Sequence, residues 1–234
     1  MAMTPKTKKP EVVTNPASAE YYKKYGDKFV REGHVKIGYR YDQVEGREFI
    51  LSKDGKKHAN NVTLSQPSSE VLVLLKKNGK FFFVMGKQSR SPYLVEVNSI
   101  KYFKVFLEQA AGLVEAGQNH LSTAIAESDQ ELGAKLIFIA ELTATMIFRH
   151  VSFTDEMSRL YWAITEDLGE QELDEKESIN IEIIPLEDAR KEFKSYLNGE
   201  KRDFFGFDIP DITMLSMTLF FWKLDSGEID LYHP

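Results

Sequence analysis

The sequence contains no cysteine, and this absence removes several classes of chemistry. Disulfide bonds, thiolate catalysis and cysteine-based zinc sites are all excluded. A chain without cysteine also fits a reducing compartment, so we expect a cytoplasmic protein. Residues 1–13 are polar and basic and lack an apolar segment, so no secretory signal is expected.

Long apolar runs and basic stripes are absent as well. The most apolar late stretch, residues 214–222, has about half the length of a membrane-spanning helix. The net charge is −6, and the lysine pairs are scattered along the chain instead of being clustered. Because a nucleic-acid binder usually shows a basic stripe, we expect neither a nucleic acid nor a membrane as a partner.

Apolar residues make up 42% of the 234 residues, which is enough for a packed core. Strand patterns occupy residues 35–53, with a turn at Gly46, and residues 70–75 and 80–85, joined by an Asn78-Gly79 hairpin turn. Residues 54–67 and 86–102 have the composition of loops. Further strands are expected at residues 135–148, 158–165 and 180–184, and helices at residues 186–197 and 209–224. This order predicts a mixed α/β sandwich.

The chain is expected to have three parts. Residues 1–18 carry three prolines among polar residues and predict a flexible tail. Residues 19–66 predict a small N-terminal β appendage, which is too small to bury a core of its own. Residues 67–234 form the main domain.

Two carboxylates mark the segment 112–134, GLVEAGQNHLSTAIAESDQELGA. It predicts a glycine-framed loop and then a helix over residues 119–132, with Asn119 as its N-cap and Gly133 just after its end. Glu127 and Glu131 are four residues apart, so they share one helix face and repel each other unless a cation lies between them. A Mg²⁺ or Mn²⁺ ion suits such oxygen ligands. The alternative is a solvated acidic helix, which the spacing alone favours.

The apolar residues of this helix predict the face that it buries. Their spacing gives a stripe of residues that lie near one another on the helix surface. The predicted buried stripe consists of Leu121, Ala124, Ile125, Ser128 and Leu132. Glu127 and Glu131 lie roughly 100° from the centre of that stripe, at the edge of the buried side.

The segment resembles the Nudix box, which is a glycine, five residues, a glutamate, seven residues and then R-E-U-x-E-E-x-G-U, where U is bulky and apolar. Gly112, Glu127, Glu131 and Gly133 match two glycines and two glutamates of that box. The positions that depart from it carry Gln118, Ala126, Ser128, Gln130 and Ala134. Because an arginine and two carboxylates are replaced, a weaker metal site with fewer ions is expected.

The flanking segments resemble the ADP-ribose pyrophosphatase branch of the Nudix superfamily. Residues 107–118 (LEQAAGLVEAGQ) are similar to its run L-E-x-x-A-G-x-x-E-x-G-E, and residues 81–90 end in its Q-x-R motif. Residues 154–156 fall where that branch has a T-S-E loop. The resemblance implies a Nudix α/β/α sandwich over residues 67–234 with a small N-terminal antiparallel β appendage. It also implies a homodimer, because the N-terminal strands of that branch commonly pack across a dimer.

The resemblance also implies roles for individual residues. In the family, two box glutamates and a backbone carbonyl hold Mg²⁺ (or Mn²⁺), and these positions are Ala111, Glu127 and Glu131 here. Glu127 is thereby also assigned to catalysis, together with Glu156, the candidate base for the attacking water. The candidate substrate-binding residues are Arg90, Glu108 and Arg149. Without the resemblance, Glu156 is equally consistent with a surface acid, and for Arg90 an ordinary surface arginine is slightly favoured.

The leading functional hypothesis is metal-dependent hydrolysis of the pyrophosphate bond of a nucleoside diphosphate-sugar, with ADP-ribose as the lead substrate. The alternative is a catalytically impaired Nudix domain that acts as a nucleotide-binding sensor or partner module, and the replaced box positions favour it. A third hypothesis is an interaction protein that reuses the fold, since a fold does not fix a function.

Overall fold

The computed structural model describes residues 28–38, 43–53, 56–63, 66–97, 100–115, 117–148, 157–173 and 179–234. Contacts divide the chain into two compact units, Met1–Leu64 and Ser65–Pro234. The expected flexible tail, residues 1–18, lies outside the described residues. The predicted homodimer stays a prediction.

The first unit contains a three-stranded antiparallel sheet in the order β1-β2-β3. Its strands are β1 (Lys28–Gly38), β2 (Gln43–Lys53) and β3 (Lys56–Thr63). The predicted turn at Gly46 is wrong, because Gly46 lies inside β2, opposite Val35 of β1 and Thr63 of β3. The loop predicted over residues 54–67 is also wrong for residues 56–63. Their polar composition does not predict a strand, but pairing with β2 satisfies their backbone groups.

The second unit contains an eight-stranded mixed sheet whose main path is β11-β5-β4-β10-β8. Strand β6 pairs with β5, β7 with β4 and β9 with β10. The β4–β10 pair is parallel. The strands are β4 (Ser68–Lys77), β5 (Lys80–Val97), β6 (Ile100–Glu108), β7 (Ala110–Leu113), β8 (Ala134–Glu141), β9 (Ile147–Phe148), β10 (Met157–Leu168) and β11 (Ile179–Pro185). The described helices are α1 (His120–Leu132), α2 (Leu186–Leu197) and α3 (Asp211–Ser226).

The hairpin between β4 and β5 turns at Asn78 and Gly79, as predicted. Their φ angles are 52° and 71°, which is the positive-φ pair that a tight two-residue hairpin turn requires. The loop predicted after this hairpin, over residues 86–102, is wrong. There β5 continues to Val97 and pairs with β6. The register shifts between Arg90 and Leu94, a stretch that contains a proline and hides the strand pattern in the sequence.

Alternation along β4 supplies both faces of the main sheet. Leu72 and Leu74 belong to one buried cluster, whereas Val71 and Val73 belong to the other. Helices α2 and α3 cover the first face with Leu186, Ala189, Phe193, Ile212, Met217, Phe220 and Phe221. Helix α1 covers the second face with Ala124 and Leu132. The sheet therefore lies between helices on both faces, which is the predicted α/β/α sandwich. Among the described residues, no helix is long and apolar enough to cross a membrane.

The end of α1 depends on Gly133, which has a φ of 64°. A Cβ added there would lie 2.4 Å from the backbone oxygen of Gly169. We therefore expect Gly133→Ala to lower the free energy of unfolding by more than the about 1–2 kcal/mol that a left-handed backbone costs a residue with a side chain. Urea unfolding of both proteins measures the difference.

Gly227→Ala is the matched control for this substitution. Gly227 also follows a helix with a positive φ, of 78°, but no described atom lies within 4 Å of its added Cβ. Only the backbone strain should appear in this variant. Equal losses in the two variants would contradict the steric account of Gly133.

Candidate active site

Helix α1 begins at the residue that the sequence predicts. The Oδ1 of Asn119 accepts a hydrogen bond from the Ser122 backbone N–H at 2.9 Å, and the Asn119 N–H donates to Ser122 Oγ at 3.1 Å. These two bonds satisfy backbone and side-chain groups reciprocally, as in a capping box. Gly117 allows the turn into the helix with a φ of 92°. The local sequence thus fixes where the two box glutamates lie along the helix.

The buried face of α1 differs from the predicted stripe. Leu121 and Ile125 are 45% and 44% exposed, so their assignment to the buried side is wrong. Thr123 and Glu131 are buried instead, together with the correctly predicted Ala124, Ser128 and Leu132. The helix packs through small residues, and a carboxylate can be buried beside them when it has a hydrogen-bond donor.

The two box glutamates converge on the backbone at Ala111 and Gly112. Glu131 is only 8% exposed, and its Oε2 accepts a hydrogen bond from the Ala111 N–H at 2.9 Å. Glu127 lies against Gly112 so closely that an added Cβ would be 1.8 Å from Oε1 and 2.1 Å from Cδ. A side chain at position 112 is therefore incompatible with this placement of Glu127. Ala111, Glu127 and Glu131 are brought together at the point where β7 meets α1.

The donor atoms at this point suit a hard cation. Carboxylate and carbonyl oxygens are the preferred ligands of Mg²⁺, which usually keeps several waters and takes only one or two carboxylates from a protein. In the part of the chain that the structure describes, no group of three or more His, Cys, Asp or Glu residues could hold a metal. The expected set, Glu127, Glu131 and the Ala111 carbonyl, contains two carboxylates, so it fits Mg²⁺ or Mn²⁺ with few protein ligands.

Two of the replaced box positions carry glutamine, and each forms a hydrogen bond to a residue other than Glu127 or Glu131. Gln118, in place of the first box glutamate, accepts a hydrogen bond from Thr123 Oγ1 at 3.0 Å, so it is bonded to the first turn of α1. The Gln130 side chain is exposed, while its backbone oxygen accepts from the Glu172 N–H at 2.9 Å. Neither residue supplies a carboxylate to the site.

The other candidate residues are placed only in part. Glu108 is half-buried at the end of β6, opposite Gly86 of β5. The backbone of Arg90 lies in β5, opposite Lys104, and its side chain is outside the described residues. Arg149 and Glu156 lie outside the described residues altogether. The roles of these four residues stay predictions.

Sequence reasoning missed a contact that ties the start of α1 to β4. Ser69 Oγ donates a hydrogen bond to the His120 backbone oxygen at 2.9 Å, and His120 Nδ1 lies 3.1 Å from the same hydroxyl. His120 Nδ1 also lies 3.1 Å from the Ser68 backbone oxygen. Because Ser69 faces Gly112 in the strand pairing, this contact holds the helix N-terminus beside the glycine that Glu127 covers.

A buried polar cluster beside Ala111 was missed as well. Glu70 is 2% exposed and pairs with Ala111 across β4 and β7. Its Oε1 accepts from Ser68 Oγ at 3.4 Å, its Oε2 accepts from Gln109 Nε2 at 3.2 Å, and Ser68 Oγ lies 2.6 Å from Ser158 Oγ. Its signal in the sequence is a glutamate that directly precedes a continuous apolar strand.

The side-chain amide of Gln109 in this cluster has a hydrogen-bond partner at only one end. It is 4% exposed, and among the described residues its Oε1 is a buried acceptor without a hydrogen-bond partner. An unsatisfied buried polar group of this kind costs about 1–3 kcal/mol of stability. Such a cost at the edge of a candidate site calls for a functional explanation.

The fold is shared with a solved structure described as an ADP compounds hydrolase. The TM-score is 0.63, the sequence identity is 14%, and the match covers 87% of this chain and 97% of that chain. No family model matches the chain, and no curated protein matches it in sequence. An identity this low establishes the fold and not the activity. The chain therefore has the fold of that hydrolase, in agreement with the α/β/α sandwich predicted from the sequence.

Proposed function

We propose that this protein is a metal-dependent hydrolase that cleaves the pyrophosphate bond of a nucleoside diphosphate linked to a sugar, with ADP-ribose as the lead substrate. The observation that carries the proposal is the convergence of Glu127 and Glu131 on the backbone at Ala111 and Gly112. The shared fold supports it, because the similar structure is described as a hydrolase of ADP compounds.

Glu127, Glu131 and the Ala111 carbonyl would hold Mg²⁺ or Mn²⁺. When bound, the ion supplies positive charge that neutralises the diphosphate and favours deprotonation of the attacking water. Helix α1 sets the spacing of the two carboxylates, and the Ala111 N–H orients the carboxylate of Glu131 through the bond at 2.9 Å. An ion between the two carboxylates would also relieve their mutual repulsion.

The proposed reaction is a substitution at phosphorus. A water oxygen forms a bond to one phosphorus of the diphosphate, and the bond from that phosphorus to the bridging oxygen breaks. Glu156 is the proposed acceptor of the water proton. Arg90, Glu108 and Arg149 are proposed to bind the substrate. The products are a nucleoside monophosphate and the phosphorylated second group.

The test is the release of phosphate monoesters from ADP-ribose with Mg²⁺ or Mn²⁺, and in EDTA. We expect product only when metal is present. The Glu127→Gln Glu131→Gln double variant should lose at least about 100-fold in turnover, since removing a single electrostatic contact to a transition state commonly costs that much.

Asp129→Asn is the matched control for the double variant. Asp129 is an exposed carboxylate on the same helix, so its replacement changes the charge of α1 without touching Ala111 or Gly112. Its turnover should equal that of the unmodified protein. Metal-dependent product in the double variant would refute the assignment of the metal ligands.

A binding module is the second candidate. The surroundings of Gln118 and Gln130 favour it, because neither replaced position supplies a carboxylate to the site. In this case ADP-ribose should raise the melting temperature and be recovered intact after incubation with metal. Consumption of the ligand under those conditions would exclude the binding module.

A further inference from the structure

We propose that Gln109 and Glu70 are positioning residues that hold the Ala111 backbone in place for the cation, an inference that rests on the proposed function. Neither belongs to the matched positions of the Nudix box. Both are at least nine-tenths buried, and they act through Ala111 instead of contacting the substrate.

Gln109 and Glu70 both lie next to Ala111, one along the chain and the other across the sheet. Gln109 is the single residue between the end of β6 and the start of β7, two residues before Ala111. Glu70 is the residue of β4 that pairs with Ala111. The bond from Gln109 Nε2 to Glu70 Oε2, at 3.2 Å, therefore ties the segment that carries Ala111 to the strand beside it.

Ala111 is consequently held from two directions. Glu131 of α1 accepts a hydrogen bond from the Ala111 N–H, and the hydrogen bond between Gln109 and Glu70 fixes the chain just before Ala111. A backbone carbonyl ligand has no side chain that can adjust, so its direction depends on the backbone around it. Groups that orient metal ligands in this way commonly change metal affinity about 10–100-fold when they are lost.

The unsatisfied oxygen of Gln109 argues against a role in packing alone. An apolar side chain of similar size would fill the same space without burying the unpaired Oε1, but it would not donate to Glu70 Oε2. The amide nitrogen of Gln109 thus forms one hydrogen bond, while its unpaired amide oxygen lowers the stability of the fold. Glu70 is fixed further by Ser68, which in turn contacts Ser158 of β10, so the acceptor of that bond has a defined position.

The test is Mn²⁺ binding to the full chain in the absence of substrate. Gln109→Met removes both polar ends of the side chain and nearly conserves its volume. We expect the dissociation constant for Mn²⁺ to rise about tenfold, measured by electron paramagnetic resonance and calorimetry. The melting temperature should change little, because removal of the unpaired Oε1 offsets the lost hydrogen bond to Glu70 Oε2. Replacing a residue that is needed only for packing would not weaken Mn²⁺ binding in a protein of unchanged stability.

Thr165→Val provides the matched control. Thr165 is fully buried in β10 and donates to the Lys135 backbone oxygen at 2.8 Å, away from Ala111. This variant should lose stability and bind Mn²⁺ normally. If Gln109→Met does not fold, Gln109→Leu provides the same comparison.

The outcomes separate the inference from the proposed function. Mn²⁺ binding that differs less than twofold between the Gln109 variant and the unmodified protein overturns the positioning role and leaves the hydrolase proposal standing. Failure of the unmodified protein to bind Mn²⁺ overturns the proposed metal site and the positioning role with it.

Discussion

Replacing Gly112 with alanine is expected to lower the proposed metal-dependent turnover by about 100-fold or more, with a small change in stability. The added Cβ would lie 1.8 Å from Glu127 Oε1 and 2.1 Å from its Cδ, so the carboxylate must move. A glutamate side chain can change rotamer at modest cost, which spares the fold. The displaced carboxylate, however, no longer meets Ala111 and Glu131. Steady-state hydrolysis of ADP-ribose, with thermal unfolding measured in parallel, checks both parts.

Gly117→Ala separates this effect from strain in the loop. Gly117 belongs to the same loop and has a φ of 92°, but no described atom lies within 4 Å of its added Cβ. This variant should lose about 1–2 kcal/mol of stability to the left-handed backbone and keep its turnover within a few-fold. Normal turnover in Gly112→Ala would contradict the proposed role of Glu127 as a metal ligand.

The sequence predicted the elements whose signals are local. The cap at Asn119, the hairpin turn at Asn78 and Gly79, and the continuous apolar run of β4 each depend on a few neighbouring residues, and the structure confirms all three. The spacing of Glu127 and Glu131 is local in the same sense. It placed both carboxylates on one side of α1, although their role as metal ligands stays a prediction.

Features that depend on residues far apart in the chain could not be predicted from the sequence. The strand pairing over residues 86–97 and 100–102 joins segments in which polar residues and a proline interrupt the apolar pattern, so the pairing cannot be recognised without the partner strand. The buried face of α1 was misplaced because Glu131 finds its hydrogen-bond donor twenty residues earlier, at Ala111. Glu70 and Gln109 were missed for the same reason, since their contact spans 39 residues.

Replacing Phe220 with alanine is expected to lower the free energy of unfolding by about 3–5 kcal/mol. Phe220 is fully buried in α3, and its ring centroid lies 5.5 Å from that of Phe83 and 5.9 Å from that of Trp162. The lost ring would leave a cavity between α3 and the sheet. Because a domain has a total stability of about 5–15 kcal/mol, the loss is a large share of it. Urea unfolding followed by tryptophan fluorescence measures it.

The same variant tests whether the residues that stabilise the fold and those proposed to act in catalysis lie on different faces of the sheet. Phe220 belongs to the cluster under α2 and α3, whereas Glu127 and Glu131 come from α1 on the opposite face. At a temperature where Phe220→Ala is fully folded, its turnover should therefore match that of the unmodified protein. Trp222→Ala is the control on the same helix, because this ring is 59% exposed and its loss should cost less than about 1 kcal/mol. A folded Phe220→Ala protein with reduced turnover would show that the packing of α3 reaches through the sheet to the carboxylates.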